Sequence, residues 1–143
     1  MEDSTIISCV ALIISFITPI FNYFMNRRVN DITLESQHLK DIYVEFLTQR
    51  IPEARRDIIY TDTYFQGSYP LQKVLLELLK ALSFYKYIDN DFYMDVKIAI
   101  QKLEDYIVLN ESEIFRNSEI PRKEIEKDLS DIYNIINTKY KNG

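Results

Sequence analysis

The histidine of this chain stands in an arrangement that could ligate a metal, but the arrangement is incomplete. His38 follows Glu35 by three residues, so both side chains share one face of a helix. Di-metal sites in helical bundles combine two such Glu-x-x-His steps with further carboxylates. The chain has one histidine in all. The sequence therefore predicts no metal site and no cofactor, and favours a solvated or core-edge histidine.

Nucleophilic and phosphate-loop chemistry are not encoded either. The one cysteine, Cys9, lies in an uncharged N-terminal run, so a thiolate is not expected in the rest of the chain. The two glycines, Gly67 and Gly143, are too far apart to form a glycine-rich phosphate loop. A Ser-His-Asp triad would need His38, and no nucleophile motif accompanies it. We expect no catalytic residues, and hence no enzyme.

A first candidate ligand site is the pair Arg55 and Arg56. Pro52 precedes them, and proline favours the first turn of a helix. Helix N-termini with nearby arginines suit phosphate groups. The alternative is that Glu53 and Asp57 pair with these arginines on a solvated surface.

A second candidate ligand site is the pair Lys86 and Tyr87, which lies in the aromatic-rich segment Phe84–Tyr93. A nucleotide base can stack on such rings. The alternative is a tight helix–helix corner that the aromatic side chains pack. Residues 27–143 hold 20 acidic and 17 basic residues, a net charge of −3, which argues against direct DNA binding.

The element that would position the whole molecule is an uncharged run of 23 residues, Ser4–Asn26. As a helix it would span about 34 Å, enough to cross a hydrocarbon core of about 30 Å. Arg27 and Arg28 follow the run, and no Lys or Arg precedes it. The positive-inside rule then places the N-terminus outside the inner membrane and the remainder in the cytoplasm. Residues 1–28 are thus predicted to be a transmembrane anchor in contact with membrane lipid.

Two alternatives to this anchor stay open. A cleaved signal peptide would need a basic start and a small-residue cleavage site, whereas the run begins after Glu2 and Asp3 and leads into Arg27. The other alternative is a buried helix of a soluble domain.

Small and polar residues recur along the run at intervals of three or four, which aligns them on one helical face. Such faces allow helices to approach closely and to hydrogen-bond in lipid. We predict a homo-oligomer that associates through this stripe. Alternatives are hydroxyl groups that bond only to their own helix carbonyls and a stripe that lines a pore. The residues are Ser4, Ser8, Ala11, Ser15, Thr18 and Asn22.

Residues 29–143 are predicted to form a compact cytoplasmic domain of about four helices, so the fold class is all-α. Apolar residues repeat with helical spacing over residues 30–51, 71–87, 91–109 and 120–140. Ser68, Asp89 or Asn90, and Ser118 with Pro121 are the expected helix starts. The segment Ile58–Gln66 reads as an extended piece or a hairpin arm. The last helix spaces Ile125, Leu129, Ile132 and Ile136 like a short coiled-coil seam, or else packs on the bundle.

The layout of Ser4–Phe24, Arg27-Arg28 and a small helical domain without catalytic residues resembles a known class. These are the small single-pass membrane effectors of bacterial anti-phage defence, including those attached to CRISPR type III and cyclic-oligonucleotide signalling systems. The resemblance implies that the cytoplasmic domain senses a nucleotide second messenger or a partner protein. It also implies that clustered spans then compromise the membrane. Alternatives are a membrane-anchored adaptor or scaffold, and a phage holin.

Overall fold

The structure is a computed structural model that describes residues 19, 22–26, 34–111, 113–117 and 119–142. The chain divides into two units, Met1–Gln37 and His38–Gly143. In the first unit, Pro19, residues 22–26 and residues 34–37 are helical, and Asn22 is exposed.

The predicted membrane span lies for the most part outside the described residues. This holds for its stripe as well, because Ser8, Ala11, Ser15 and Thr18 are outside them. Within the ranges given above, no helix is both long enough and apolar enough to cross a membrane. The span and its stripe therefore stay predictions.

The second unit is a helical bundle with one small hairpin, which confirms the all-α fold class. Residues 38–42 are helical and lead into a π-helix. A two-stranded antiparallel hairpin separates the first α-helix from the second, with Ile59 opposite Gln66. The elements in order are the π-helix Tyr43–Arg50, α1 Ile51–Arg56, β1 Ile59–Tyr60, β2 Phe65–Gln66, α2 Tyr69–Ala81, a 3₁₀ turn Leu82–Phe84, α3 Tyr85–Ile88, α4 Asn90–Asn110 and α5 Glu119–Asn142.

The core consists of the apolar faces that helical spacing predicts. Burying one such side chain fully stabilises the fold by about 1.5–3 kcal/mol relative to leaving it in water. The α5 side chains predicted as a coiled-coil seam, from Ile125 to Ile136, are buried in this core, so the seam interpretation is wrong and packing on the bundle is confirmed. The buried faces include Leu39, Ile42, Phe46, Leu47, Ile51, Leu71, Val74, Leu75, Leu78, Leu82, Val96, Ile100, Leu103, Ile107, Ile125, Leu129, Ile132 and Ile136.

Pro52 is the second residue of α1, which confirms its predicted early helical position, although α1 continues the preceding π-helix without a break. Proline has no N–H, and its ring clashes with the carbonyl four residues earlier in an α-helix. The turns before it are π-helical instead, so that the Ile51 N–H donates to the carbonyl of Phe46. A π-helix pairs each carbonyl with the N–H five residues later. The partner of the Leu47 carbonyl would therefore be the N–H that Pro52 lacks. The Tyr133 hydroxyl of α5 donates to that carbonyl at 2.6 Å.

The hairpin confirms the prediction for the segment from Ile58 to Gln66. Gly67 closes it with a φ of +84°, and a Cβ there would lie 2.4 Å from the Asp57 carbonyl oxygen. Ser68 then occupies the predicted N-cap position of α2, but its side chain does not cap the helix. Its hydroxyl accepts from Gln72 instead, at 3.0 Å.

Helix α4 starts at the cap that the sequence predicts. The Asp89 carboxylate accepts from the Phe92 N–H at 3.1 Å and from Lys139 Nζ of α5 at 3.0 Å. These two bonds, the Lys139 bond foremost, lower the pKa of Asp89. At α5, the predicted cap Ser118 lies outside the described residues, and the Asn117 side chain accepts from the Glu119 N–H.

Replacing Tyr133 by Phe should lower the free energy of unfolding by about 1–3 kcal/mol, because the Leu47 carbonyl loses its donor. Chemical unfolding of the full chain in detergent, followed by circular dichroism, measures this loss. In the Pro52→Ala background the new N–H can serve the carbonyl, so the loss should shrink. Tyr140→Phe is the matched control, because it keeps the ring that stacks on Tyr43. An equal loss in both backgrounds would contradict this account.

Replacing Asp89 by Ala should lower the free energy of unfolding by about 1 kcal/mol at neutral pH, because the N-cap is lost. Since the folded pKa of Asp89 is lowered, its stabilisation is complete above about pH 4 and is lost as the pH falls through the folded pKa. Asp89→Asn retains a cap acceptor and should isolate the charge. Urea unfolding at neutral and acidic pH tests this, and a gap between the Asp89→Asn variant and the parent that persists in acid would refute it.

Candidate functional site

Arg55, the first predicted ligand residue, lies in the last turn of α1 rather than near a helix start. The α-helix starts at Ile51, as the position of Pro52 predicts, but it continues the π-helix, and the Ile51 N–H donates to the Phe46 carbonyl instead of facing a phosphate. Arg56 is exposed. Arg55 pairs with Glu126 of α5, and not with Glu53 or Asp57 as the alternative interpretation has it.

Two arginines converge on one carboxylate oxygen at this point. Glu126 Oε1 accepts from Arg55 Nη2 and from Arg122 Nε, the latter at 3.3 Å. Arg122 also lies 3.6 Å from Glu119 through Nη1. The side chains of Arg55, Arg122 and Glu126 are 42%, 52% and 39% exposed. We call these three residues the arginine cluster.

The hydroxyl of Tyr60, on β1, is buried and has no hydrogen-bond partner among the described residues. Burial raises the pKa of Tyr60, and the charges of Arg55, Glu126 and Arg122 act on it as well. Leaving a buried hydroxyl unsatisfied costs free energy, and such a group calls for a specific explanation.

A cleft of about 290 Å³ adjoins the cluster. Its walls combine the guanidinium of Arg55 with apolar side chains and the Ser130 hydroxyl. The arginine side of the cleft can thus contact a charged group of a ligand, while the apolar side contacts an apolar or ring-shaped group of the same ligand. The lining residues are Ile51, Pro52, Arg55, Glu126, Leu129, Ser130 and Tyr133.

The second predicted pair lies elsewhere on the bundle. In α3, Lys86 and Tyr87 point outward, Tyr87 is 84% exposed, and Lys86 Nζ lies 5.9 Å from the Tyr87 ring centroid. Tyr85 faces inward and packs edge-on against Phe92 at 5.0 Å, as a helix–helix corner would. Among the described residues, no hydrogen bond, ion pair or ring contact joins Lys86 or Tyr87 to Arg55.

A larger cleft of about 410 Å³ runs between α4 and α5. Its polar wall is held by Lys102, whose Nζ donates to Asp128 at 2.6 Å and lies 3.8 Å from Asp131. Asp128 is only 3% exposed, and its bond to Lys102 raises the pKa of that lysine. This ion pair ties α5 to α4 and so fixes the helix that carries Glu126.

The described residues provide no metal site. His38 donates through Nε2 to the carbonyl of Ala81 at 3.2 Å and stacks on Tyr85. In the described ranges, no group of three or more His, Cys, Asp or Glu side chains could hold a metal ion. Comparison of the chain with protein-family models, with curated proteins and with solved structures finds no match.

Sequence reasoning missed three members of the site. The i, i+4 spacing of Arg122 and Glu126 was a usable signal for a helical ion pair, but it did not point to Arg55. Ser130 carries no local signal, because only the tertiary fold brings it to the cleft that Arg55 lines. Arg55 alone was predicted, and its partner Glu126 comes from α5.

Replacing Glu126 by Gln should change the free energy of unfolding by less than about 1 kcal/mol, because exposed ion pairs contribute little to stability. Lys102→Met is the contrasting variant and should destabilise the chain more, since it leaves the buried Asp128 carboxylate without its cation. Lys123→Met, a change at an exposed lysine of α5, controls for the loss of a surface charge. Thermal unfolding of the three variants ranks them, and an effect of E126Q equal to that of K102M would contradict the prediction.

Proposed function

We propose that this chain is a single-pass inner-membrane protein with its N-terminus outside and a helical sensing domain in the cytoplasm. The observation that carries the proposal is the uncharged run Ser4–Asn26, followed at once by Arg27 and Arg28. Its length matches a hydrocarbon core of about 30 Å. The positive flank sets the orientation, since basic residues next to a span stay in the cytoplasm.

In this proposal the helical domain receives a trigger and the spans then assemble and disrupt the bilayer. The small and polar stripe from Ser4 to Asn22 supports the assembly step, because such faces hydrogen-bond across helices in lipid. The arginine cluster and its cleft support the sensing step, because charged side chains there meet solvent and can exchange partners. The protein works as an effector of anti-phage defence by this mechanism.

A second candidate function is an anchored adaptor that binds a partner protein. An exposed apolar surface near the hairpin favours it. Ile114 is 83% exposed and lines an open cleft of about 400 Å³ with Tyr64, Gln66 and Glu111. A partner protein could cover the exposed side chains of Ile114 and Tyr64, and their burial would favour binding. In an adaptor the span only localises the domain, and its stripe has no part in the activity.

The anchor is tested by fractionating cells that express the full chain fused at its C-terminus to a fluorescent protein. We expect the fusion in the membrane pellet after carbonate washing, with a fluorescent and hence cytoplasmic C-terminus. Reversing the flank with Arg27→Glu and Arg28→Glu should reduce that fluorescence, because the positive flank is lost. Recovery of the parent chain in the supernatant would refute the anchor.

Replacing residues 4–26 by a poly-leucine helix separates the two candidate functions in the same cells. An effector should lose its ability to collapse the membrane potential, read with a potential-sensitive dye, although the chain stays in the membrane. An adaptor should keep its activity. A dye signal that is absent even when the parent chain is clustered through its C-terminal fusion would count against the effector.

A further inference from the structure

Glu126 holds two guanidinium groups with a single carboxylate oxygen. A guanidinium carries five N–H donors in a planar fork, which suits paired bonds to phosphate or carboxylate. Oε1 of Glu126 accepts one bond from Arg55 and one from Arg122. Most N–H groups of the two guanidinium groups are thus available to other acceptors. A phosphate group, with more oxygens and a charge of up to −2, matches two facing guanidinium groups better than one carboxylate does.

The bonds around Glu126 can exchange. The side chains of Arg55, Arg122 and Glu126 are all between about one third and one half exposed, and ion pairs at such positions contribute little to stability. The Glu126 carboxylate can therefore turn into solvent without disturbing the core. The cleft beside it offers Ile51, Leu129 and the Ser130 hydroxyl to whatever is attached to the phosphate.

We propose that Arg55 and Arg122 form a phosphate-binding site in which the Glu126 carboxylate holds the place of a phosphate group until a ligand displaces it. The ligand is a small phosphorylated compound, whose phosphate meets the arginines and whose remainder contacts the cleft. This inference rests on the sensing role proposed above, but not on the membrane anchor. The binding test can therefore fail while the fractionation test supports the membrane anchor, and the fractionation test can fail while binding is observed.

The test is calorimetric titration of the full chain in detergent micelles with inorganic pyrophosphate. Arg55→Gln and Arg122→Gln should each weaken binding by about tenfold or more, because a bond to a charged group is lost in each. Arg56→Gln is the matched control, since Arg56 is the exposed neighbour of Arg55 and lies outside the site. Equal affinities in Arg122→Gln and Arg56→Gln would overturn the proposal.

One further variant separates binding from a merely structural ion pair. Glu126→Gln should bind pyrophosphate several-fold more tightly, because the competing carboxylate is gone while an acceptor for the arginines remains. Weaker or unchanged binding by Glu126→Gln, with its melting temperature preserved, would refute the placeholder role.

The phosphate could also belong to a lipid headgroup, and a second arm distinguishes this source. The chain is placed in nanodiscs of phosphatidylcholine, alone or mixed with phosphatidylglycerol, and the protection of Arg122 from guanidine-modifying reagents is measured. Protection by pyrophosphate in both discs supports a free phosphorylated ligand. Protection by phosphatidylglycerol alone assigns the phosphate to lipid and overturns the small-ligand assignment. No protection in either case overturns the site.

Discussion

The missing N–H of Pro52 is the constraint on which the arrangement around the arginine cluster depends. A proline inside a helix removes a donor and crowds the preceding turn, and here the preceding turn widens into a π-helix. The carbonyl of Leu47 is then satisfied by Tyr133 of α5. Because this bond fixes the π-helix against α5, and α1 continues the π-helix, it also sets which residues of α1 and α5 meet further along.

The contacts along this interface follow an antiparallel register. Tyr43 stacks on Tyr140 with 5.1 Å between ring centroids, the Leu47 carbonyl meets Tyr133, and Arg55 meets Glu126. In these three pairs the residue numbers rise along the π-helix and α1 while those of α5 fall, so α5 runs antiparallel to them. Arg55 reaches Glu126 only because the helix does not stop at Pro52. A chain that broke there, as proline usually implies, would place Arg55 on another surface.

The sequence is sufficient to predict the helices, but it is not sufficient to predict that the helix continues through Pro52. Apolar spacing predicts the buried faces of α2, α4 and α5, because a helix in a bundle must cover its apolar side. Asp89 is predictable as a cap, since capping is local. The continuation through Pro52 is not predictable, because the donor that replaces its N–H stands 86 residues away from Leu47. The same holds for the site, where Arg55 is recognisable by type but Glu126 becomes its neighbour only in the fold.

The interface of α5 with the π-helix and α1 has different energetics at its two ends, and this division suits a sensing site. The bond between Tyr133 and Leu47 lies against the core, so breaking it costs about 1–3 kcal/mol. The bonds between Arg55, Arg122 and Glu126 are exposed, so exchanging them costs about 1 kcal/mol or less. A ligand at the arginine cluster therefore competes with weak bonds while the strong one keeps the helices in register. The outcome of binding is then a change of charge at the surface of α5, where the Glu126 carboxylate turns to solvent, rather than a loosening of the bundle. Such a surface change can be read by a second copy of the domain without any cost to the fold of the first.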